Sequence, residues 1–255
     1  MSRVASRLRR RTAVVCAWIA CVAGGAFGSK PVLAGDGASR TAPPADSASR
    51  VVPLVASSPP VFGAPPGSPD DARATFVYLH GVCGLTTNGC GHFEGAPGWL
   101  VCPQANRVCA NGGSSWGGSL EDEAALVDRA VEAARARWPE SARAPVVLVG
   151  FSQGAYVAME VARARPGAYA GLLLIGADTE HAIDRLRASR VPRVALACGA
   201  YDGMFGGMQG TPKALARAGV SARFESLGLV GHTYAGEGGD GVVTSILKWL
   251  VEGEA

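Results

Sequence analysis

The hydrophobic residues in the second half of the chain form short continuous runs, and amphipathic stretches separate these runs. The run of Val146, Val147, Leu148 and Val149 predicts a strand that is buried on both faces, as in the middle of a parallel sheet. Similar runs predict strands at residues 75–80, 99–102, 171–175, 193–198 and 222–227. The pattern therefore predicts several strands of one sheet.

Helical periodicity fills the intervals between these strands. One apolar stripe recurs at steps of three and four residues, and it consists of Leu120, Ala124, Val127, Val131, Ala134 and Trp138. Ser119 can cap this helix, and Pro139 ends it. Further helices are predicted at residues 155–165, 183–188, 212–218 and 241–251. Because strands joined by such helices require right-handed crossovers, the predicted fold is α/β, a three-layer sandwich with a mostly parallel central sheet and helices on both faces.

The first 34 residues follow the plan of a secretory signal peptide. Five arginines lie in residues 1–11, residues 12–27 are largely apolar, and Val32, Leu33 and Ala34 are acceptable to a signal peptidase. The apolar run is too short for a convincing membrane span, so the mature chain is predicted to be secreted or periplasmic and without a stable span. An uncleaved anchor and a lipoprotein attachment at Cys21 are the alternatives.

Removal of residues 1–34 changes the charge balance. They hold six basic residues and no acid, so the 24 basic and 21 acidic residues of the whole chain become 18 and 21. The mature chain is mildly acidic, and no stripe of basic and aromatic residues is seen in it, so nucleic acid is not predicted as a partner.

Residues 35–71 are dominated by Ala, Pro, Ser and Gly, and only residues 51–55 are suited to packing. Such a segment cannot bury enough apolar surface to offset its ordering entropy, so we predict a disordered arm with at most one short edge strand. Residues 72–255 are then predicted to be the folded domain, which is long enough to bury a core of its own.

The cysteines favour an oxidising compartment. Beyond the signal, the chain contains Cys83, Cys90, Cys102, Cys109 and Cys198. Four of them lie in one short window, which predicts two disulfides, and the pairing Cys83–Cys90 with Cys102–Cys109 closes two small loops. The other two connectivities stay open, and Cys198, at the end of an apolar strand, is predicted to be a buried free thiol.

A zinc site is the competing interpretation of this window. Its ligands would be His80, Cys83, Cys90 and His92, which are suitable residue types. The spacing matches no common zinc knuckle, however, and His80 adjoins a buried strand. No metal is therefore predicted.

The strongest chemical signal is Gly150-Phe151-Ser152-Gln153-Gly154, which lies between a predicted strand and a predicted helix. A serine at such a sharp turn is strained and projects its hydroxyl above the sheet, and the residues two before and two after it must be small. The turn also directs the first N–H groups of the helix towards the space where an oxyanion would form. Ser152 is therefore the predicted nucleophile.

A nucleophilic serine needs a base and an orienting carboxylate. His232 is the predicted base because it lies in a glycine-rich loop after the last strand, and the order serine, acid, histidine is typical of this motif. Asp178 and Asp202 both follow strands, and Asp202 is preferred because its strand should neighbour the strand that leads to the His232 loop. A helix-capping His232 and a turn-forming Asp202 are the alternatives.

Four segments together resemble a known family. They are Leu79-His80-Gly81-Val82-Cys83-Gly84, Gly150-Phe151-Ser152-Gln153-Gly154, the Asp202 that follows Ala197-Cys198-Gly199, and Gly231-His232-Thr233. Over residues 74–251 the chain is similar to the carboxylesterase, acyl-protein thioesterase and dienelactone hydrolase branch of the α/β-hydrolases. The resemblance implies that Ser152 is the nucleophile, His232 the base and then the acid, and Asp202 the orienting residue. It also implies an oxyanion hole made by the backbone N–H groups of Val82 and Gln153.

Two segments depart from that pattern. Cys83 and Cys90 occur in a loop that lacks a disulfide in intracellular relatives, and the glycine- and methionine-rich residues 203–209 after Asp202 differ from the usual valine-proline pattern. The resemblance therefore specifies the chemistry better than it specifies the substrate.

These observations predict an exported serine hydrolase that cleaves a small-molecule carboxylic ester through an acyl-enzyme, without a cofactor. Trp116, Phe205 and Tyr234 are expected to line its substrate pocket because they lie on or beside loops of the active face. The alternatives are a catalytically silent binding protein of the same fold, and a peptidase or thioesterase. The sequence does not indicate an oligomeric state.

Overall fold

The computed structural model describes residues 50–237 and 241–253. The strands are β1 (Val52–Val55), β2 (Val61–Ala64), β3 (Ala74–Leu79), β4 (Gly98–Pro103), β5 (Arg107–Val108), β6 (Ser114–Ser115), β7 (Val146–Phe151), β8 (Gly171–Ile175), β9 (Arg193–Cys198) and β10 (Ser221–Ser226). The helices are α1 (Thr86–Gly91), α2 (Leu120–Arg137), α3 (Gln153–Ala164), α4 (Ile183–Ala188), α5 (Phe205–Arg217) and α6 (Gly241–Glu252). Short 3₁₀ turns lie at Pro69–Asp71 and Pro139–Arg143.

The central sheet has eight strands in the order β1-β2-β4-β3-β7-β8-β9-β10. The six strands from β4 to β10 in this order are parallel to one another. The first two strands are an antiparallel pair, and β2 is also antiparallel to β4. Strands β5 and β6 form a separate small hairpin. Because the parallel strands point the same way, their carboxyl ends meet at one edge of the sheet.

Alternate residues of the central strands face two different layers of helices. Leu148, Leu172 and Leu196 pack in a core with residues of α2, α3, α4 and α5. Their sequence neighbours Val149, Leu173 and Ala195 pack on the other side with residues of α6. The predicted fold class, a mostly parallel sheet covered by helices on both faces, is confirmed.

The predicted arm, residues 35–71, is corrected in its second half. The one short edge strand that the sequence allowed there is β1, but a further strand, β2, also belongs to the sheet. Residues 52–64 form two strands of the central sheet, and Val61 is fully buried against Val101 and the α2 residues Ala130 and Ala134. Their composition did not reveal this because β2 has only four residues, and its backbone pairing with β4 leaves no mark on a segment rich in Ala, Pro and Ser. The folded part of the chain therefore starts before residue 72. The predicted signal at residues 1–34 and the first half of the arm, residues 35–49, lie outside the described residues.

The predicted disulfide pairing is also wrong. Cys83 bonds to Cys109 and Cys90 bonds to Cys102, with Cα separations of 5.6 and 6.0 Å. The short helix α1, which the sequence did not predict, separates Cys83 from Cys90 and directs Cys90 towards Cys102 on β4. Because Cys83 and Cys90 belong to different disulfides, neither can supply the thiolate that the alternative zinc site requires. Cys198 is a buried free thiol, as predicted.

A helix boundary also differs from the prediction. Helix α5 begins at Phe205 and includes Pro212, whereas the sequence predicted that it starts at that proline.

Among residues 50–237 and 241–253, no helix combines the length and hydropathy needed to span a bilayer.

Candidate active site

Ser152 occupies a strained turn between β7 and α3. Its φ is 52° and its ψ is −119°, a conformation that costs an L-residue free energy, and its N–H donates to the Ile175 carbonyl at 2.8 Å. A Cβ at Gly150 would lie 2.5 Å from the Cα of Ala155, and a Cβ at Gly154 would lie 2.0 Å from the Leu79 carbonyl oxygen. Both glycines are therefore required, and the second one lets the turn pack directly against the end of β3.

Asp202 and His232 form a hydrogen-bonded pair. His232 Nδ1 lies 2.7 Å from Asp202 Oδ2, and the Asp202 side chain is 5% exposed while that of His232 is 47% exposed. The second carboxylate oxygen of Asp202 accepts the Met204 N–H at 3.1 Å. A carboxylate held at both oxygens fixes the imidazole orientation and leaves Nε2 available for proton transfer.

Backbone hydrogen bonds fasten the loop of His232 to the loop of Asp202. The Tyr201 N–H donates to the Val230 carbonyl at 3.0 Å, and the Ala200 N–H donates to the Gly228 carbonyl at 2.9 Å. The two loops follow the adjacent parallel strands β9 and β10. The aspartate and the histidine meet because their strands are neighbours.

Gly176 connects this pair to the serine turn. It has a φ of 58°, and a Cβ at this position would lie 3.0 Å from His232 Cε1 and 3.1 Å from Asp202 Oδ2. The residue before Gly176 accepts the Ser152 N–H, and the Phe151 ring lies against the His232 ring with centroids 4.9 Å apart. The structure therefore places the predicted nucleophile, base and orienting acid at the same edge of the sheet.

Asp178, the other candidate acid, is placed differently. Its N–H donates to the Tyr156 hydroxyl at 2.9 Å, and its Oδ1 accepts the Glu180 N–H at 3.2 Å. The carboxylate thus stabilises its own turn after β8, and the hydrogen bond to His232 comes from Asp202.

A tight turn at residues 81–84 lies next to Ser152. The Gly84 N–H donates to the Gly81 carbonyl at 3.1 Å, and Cys83 has a φ of 50°. A Cβ at Gly81 would lie 3.3 Å from the Ser152 Cβ. The peptide group between Gly81 and Val82 is therefore beside the serine, as is the peptide group between Ser152 and Gln153. These are the two N–H groups that the resemblance assigns to the oxyanion hole.

Residues 105–117, here named the clamp segment, hold the 81–84 turn by several independent contacts. The Cys83–Cys109 disulfide joins the two covalently. The Cys83 N–H donates to Ser115 Oγ at 3.0 Å, and Asn111 Nδ2 donates to the Cys83 carbonyl at 3.1 Å. The N–H and the carbonyl of Cys83 are thus both held by hydrogen bonds, and these contacts maintain its positive φ.

The clamp segment also holds the serine turn. The Trp116 N–H donates to Gln153 Oε1, and Gln153 Nε2 donates to the Trp116 carbonyl, both at 3.1 Å. One segment therefore positions both peptide groups of the proposed oxyanion hole.

His80 is a structural member of this network. Its Nε2 accepts the Ala105 N–H at 3.1 Å, so the proton is on Nδ1, which donates to the Gly81 carbonyl at 2.8 Å. Trp116 Nε1 donates to the His80 carbonyl at 2.8 Å. Burial lowers the pKa of His80 below its ordinary value, which favours this neutral form.

Only one of the three predicted pocket residues lines the cleft beside Ser152. Tyr234 borders a cleft of 290 Å³ together with Tyr78, Phe151 and the 81–84 turn. Trp116, which belongs to the clamp segment, is buried in the core, and Phe205 packs edge-on against Phe224 at 5.2 Å. Neither side chain lines this cleft, because proximity in sequence to an active-face loop does not determine the direction of a side chain.

The cleft walls are aromatic and uncharged. The Tyr234 ring meets those of Phe151 and His92 edge-on, with centroids 5.0 and 4.9 Å apart. Burial raises the pKa of the Tyr78 and Tyr234 hydroxyls, so both stay protonated. The sequence analysis did not identify Tyr78 as a cleft residue, because it lies on the buried strand β3. Val77 and Leu79 face one side of the sheet, and Tyr78 faces the other side, where α1 packs.

Cys198 is a neighbour of Asp202. Burial and the neighbouring Asp202 carboxylate raise the pKa of its thiol to about 12. A thiol with such a pKa is not a nucleophile at neutral pH.

No family model and no curated protein sequence matches the chain. Solved structures do resemble it. Esterase PE8 is 25% identical, covers 74% of this chain and 97% of its own, and superposes with a TM-score of 0.54. A carboxylesterase of Bacillus cereus is 15% identical, covers 76% of this chain and 94% of its own, and has a TM-score of 0.54. FphF, a fluorophosphonate-binding serine hydrolase of Staphylococcus aureus, is 15% identical, covers 79% of this chain and 97% of its own, and has a TM-score of 0.56.

These similarities show that the chain has the α/β-hydrolase fold. The resemblance to the carboxylesterase-like branch, predicted from the sequence, is thus confirmed at the level of the fold.

Proposed function

We propose that this protein is a serine hydrolase that cleaves a carboxylic ester through an acyl-enzyme. The observation that carries the proposal is the 2.7 Å hydrogen bond between His232 Nδ1 and Asp202 Oδ2, at the sheet edge where Ser152 occupies its strained turn. The likeness to esterase PE8 supports the same reaction class. Ser152, Asp202 and His232 are proposed as the catalytic residues.

The reaction has two halves. In the first, Ser152 Oγ attacks the ester carbonyl carbon while His232 Nε2 takes the hydroxyl proton, and the N–H groups of Val82 and Gln153 donate to the oxyanion. The tetrahedral intermediate then expels the alcohol, which receives its proton from His232. In the second half, water attacks the acyl-enzyme, His232 takes a proton from it, and the released Ser152 oxygen regains that proton as the acid leaves.

The cleft restricts the substrate. Its 290 Å³ is near the lower end of the range of about 300–1,000 Å³ that ligand pockets occupy. Its walls are aromatic, and they carry Asn88 and Asn111 in place of charges. A small, neutral acyl or aryl group suits this space.

We also propose that the protein works outside the cytoplasm. The two disulfides favour an oxidising compartment, and the first 34 residues have the pattern of a signal peptide.

The test uses protein without residues 1–34, produced under oxidising conditions. A fluorophosphonate probe is expected to label Ser152, and p-nitrophenyl acetate and butyrate are expected to be turned over. Ser152→Ala should abolish labelling and lower kcat by about 10⁴- to 10⁶-fold, whereas Ser221→Ala, at an exposed serine on β10, should change neither.

Three results would contradict the proposal. Absence of both labelling and turnover would favour a silent binding protein. Faster cleavage of a matched amide would assign a peptidase, and a strong preference for a matched thioester would assign a thioesterase.

A further inference from the structure

Large apolar side chains that are exposed to solvent concentrate at the end of the sheet where the parallel strands have their carboxyl ends. Eight such side chains occur in the described part of the chain, and seven of them lie in the segments that follow the parallel strands. Six of the seven are on loops or first helical turns, and Val108 is on the short strand β5. The seven, here named the apolar rim, are Val82, Leu85, Val108, Tyr156, Tyr201, Met204 and Leu229. The eighth, Val52, lies on the edge strand β1.

The apolar rim surrounds the candidate active site. Tyr201 precedes Asp202 and is 72% exposed, and its N–H bonds to the segment that carries Leu229, which is 62% exposed. On the other side, Val108 adjoins the Cys83–Cys109 disulfide and so lies near Val82. Val82 and Leu85 also border the cleft. The rim therefore reaches from the 81–84 turn to the loops of the acid and the base.

The same loops contain few charged residues. Residues 80–92, 105–118, 151–157, 199–208 and 228–237 contain three, Arg107, Asp202 and Glu237. The Asp202 side chain is 5% exposed and bonded to His232, and the Glu237 carboxylate accepts the Leu229 N–H at 2.8 Å. One further loop, residues 176–182, adds Asp178 and Glu180. A surface with so few charges does not attract a charged partner, but it can enter an uncharged apolar phase without desolvating many ions.

A dissolved ester does not need this arrangement. The cleft of 290 Å³ accommodates the reacting group, and Tyr201, Met204 and Leu229 are not among its lining residues. Exposed apolar side chains scattered over a surface are ordinary, but a group of them around one site is typical of a surface that binds a partner.

We propose that the apolar rim docks onto an uncharged lipid–water interface, and that the enzyme hydrolyses short-chain esters presented there. This inference rests on the proposed esterase function and names its substrate class. Docking removes the rim side chains from water and places the mouth of the cleft, with Ser152 beneath it, against the ester layer.

The experiment compares emulsified tributyrin with dissolved p-nitrophenyl acetate. The rate on tributyrin is expected to rise sharply once its concentration exceeds its solubility. The double variant Tyr201→Ser/Leu229→Ser should lower the emulsion rate by about tenfold or more, because two apolar anchors are lost. It should leave kcat/KM for p-nitrophenyl acetate and the unfolding temperature unchanged. Val52→Ser is the matched control, since it removes an exposed apolar side chain away from the rim.

The outcomes separate the inference from the function on which it rests. Equal emulsion rates for the wild type and the double variant, with turnover of p-nitrophenyl acetate intact, would overturn the docking surface and leave the esterase. If the wild type hydrolyses neither tributyrin nor p-nitrophenyl acetate and Ser152 is not labelled, the proposed esterase function itself is wrong. A dimer in solution that the double variant converts to monomers would assign the rim to a second copy of the chain, against our proposal.

Discussion

The side-chain amide of Gln153 pairs with the backbone of Trp116 through two hydrogen bonds, each 3.1 Å long. Gln153 follows the proposed nucleophile, and Trp116 belongs to the clamp segment that also holds the 81–84 turn. The pair therefore links the two halves of the proposed oxyanion hole.

Gln153→Ala is expected to lower kcat by about 10- to 100-fold with little change in KM, because misplaced oxyanion donors lose transition-state stabilisation. Steady-state kinetics with p-nitrophenyl butyrate measure the two constants separately. Gln209→Ala, at an exposed glutamine on α5, is the control and should behave as the wild type. A change confined to KM would contradict the positioning role of this amide.

The two disulfides are expected to differ in function although they contribute similar stability. Chain-entropy arguments for separations of 26 and 12 residues give about 3 kcal/mol for each. Cys83→Ser/Cys109→Ser should also lower kcat by about tenfold or more, because it frees the 81–84 turn. Cys90→Ser/Cys102→Ser, which detaches α1 from β4, should lower the unfolding temperature by a comparable amount with a smaller change in kcat. Equal kcat values for the two double variants would refute the distinction.

Asp202→Asn should reduce kcat by about 10⁴-fold, because an amide in place of the carboxylate stabilises the wrong tautomer of the histidine. Asp178→Asn serves as the control, since this carboxylate caps its own turn, and it should retain activity within about twofold. Should the two variants lose activity equally, the assignment of the acid would be wrong.

His80 should make the protein less stable as the pH falls below 6.5. Burial lowers the pKa of His80 from 6.5 in the folded chain, so the unfolded chain takes up this proton at a higher pH. The free energy of unfolding therefore decreases as the pH falls below 6.5, until the folded-state pKa is reached.

Urea unfolding across about pH 5 to 8 measures this dependence. His80→Gln keeps a hydrogen-bonding side chain but does not titrate, so its free energy of unfolding should fall less steeply below pH 6.5. His181→Gln, at an exposed histidine, should retain the wild-type slope. If the free energy of unfolding of His80→Gln depends on pH as steeply as that of the wild type, His80 is not the source of the dependence.

The sequence alone determined the features that depend on short-range constraints. The run from Val146 to Val149 specifies a central strand, and the Gly-x-Ser-x-Gly spacing of Gly150 and Gly154 specifies the sharp turn at Ser152. Asp202 and His232 could be selected because parallel strands bring their carboxyl ends to one edge. These choices need only the local pattern and the topology that it implies.

Only the tertiary structure decided the features that depend on contacts between distant segments. Pairing of Cys83 with Cys109 requires the clamp segment to fold over the 81–84 turn, and nothing near either cysteine encodes that approach. Strand β2 joins the sheet through hydrogen bonds to β4, and β1 pairs with β2, and backbone pairing leaves little trace in side-chain composition. Trp116, within the clamp segment, turns its indole into the core, where its N–H donates to the His80 carbonyl, and this direction is fixed by packing and not by its position in the sequence.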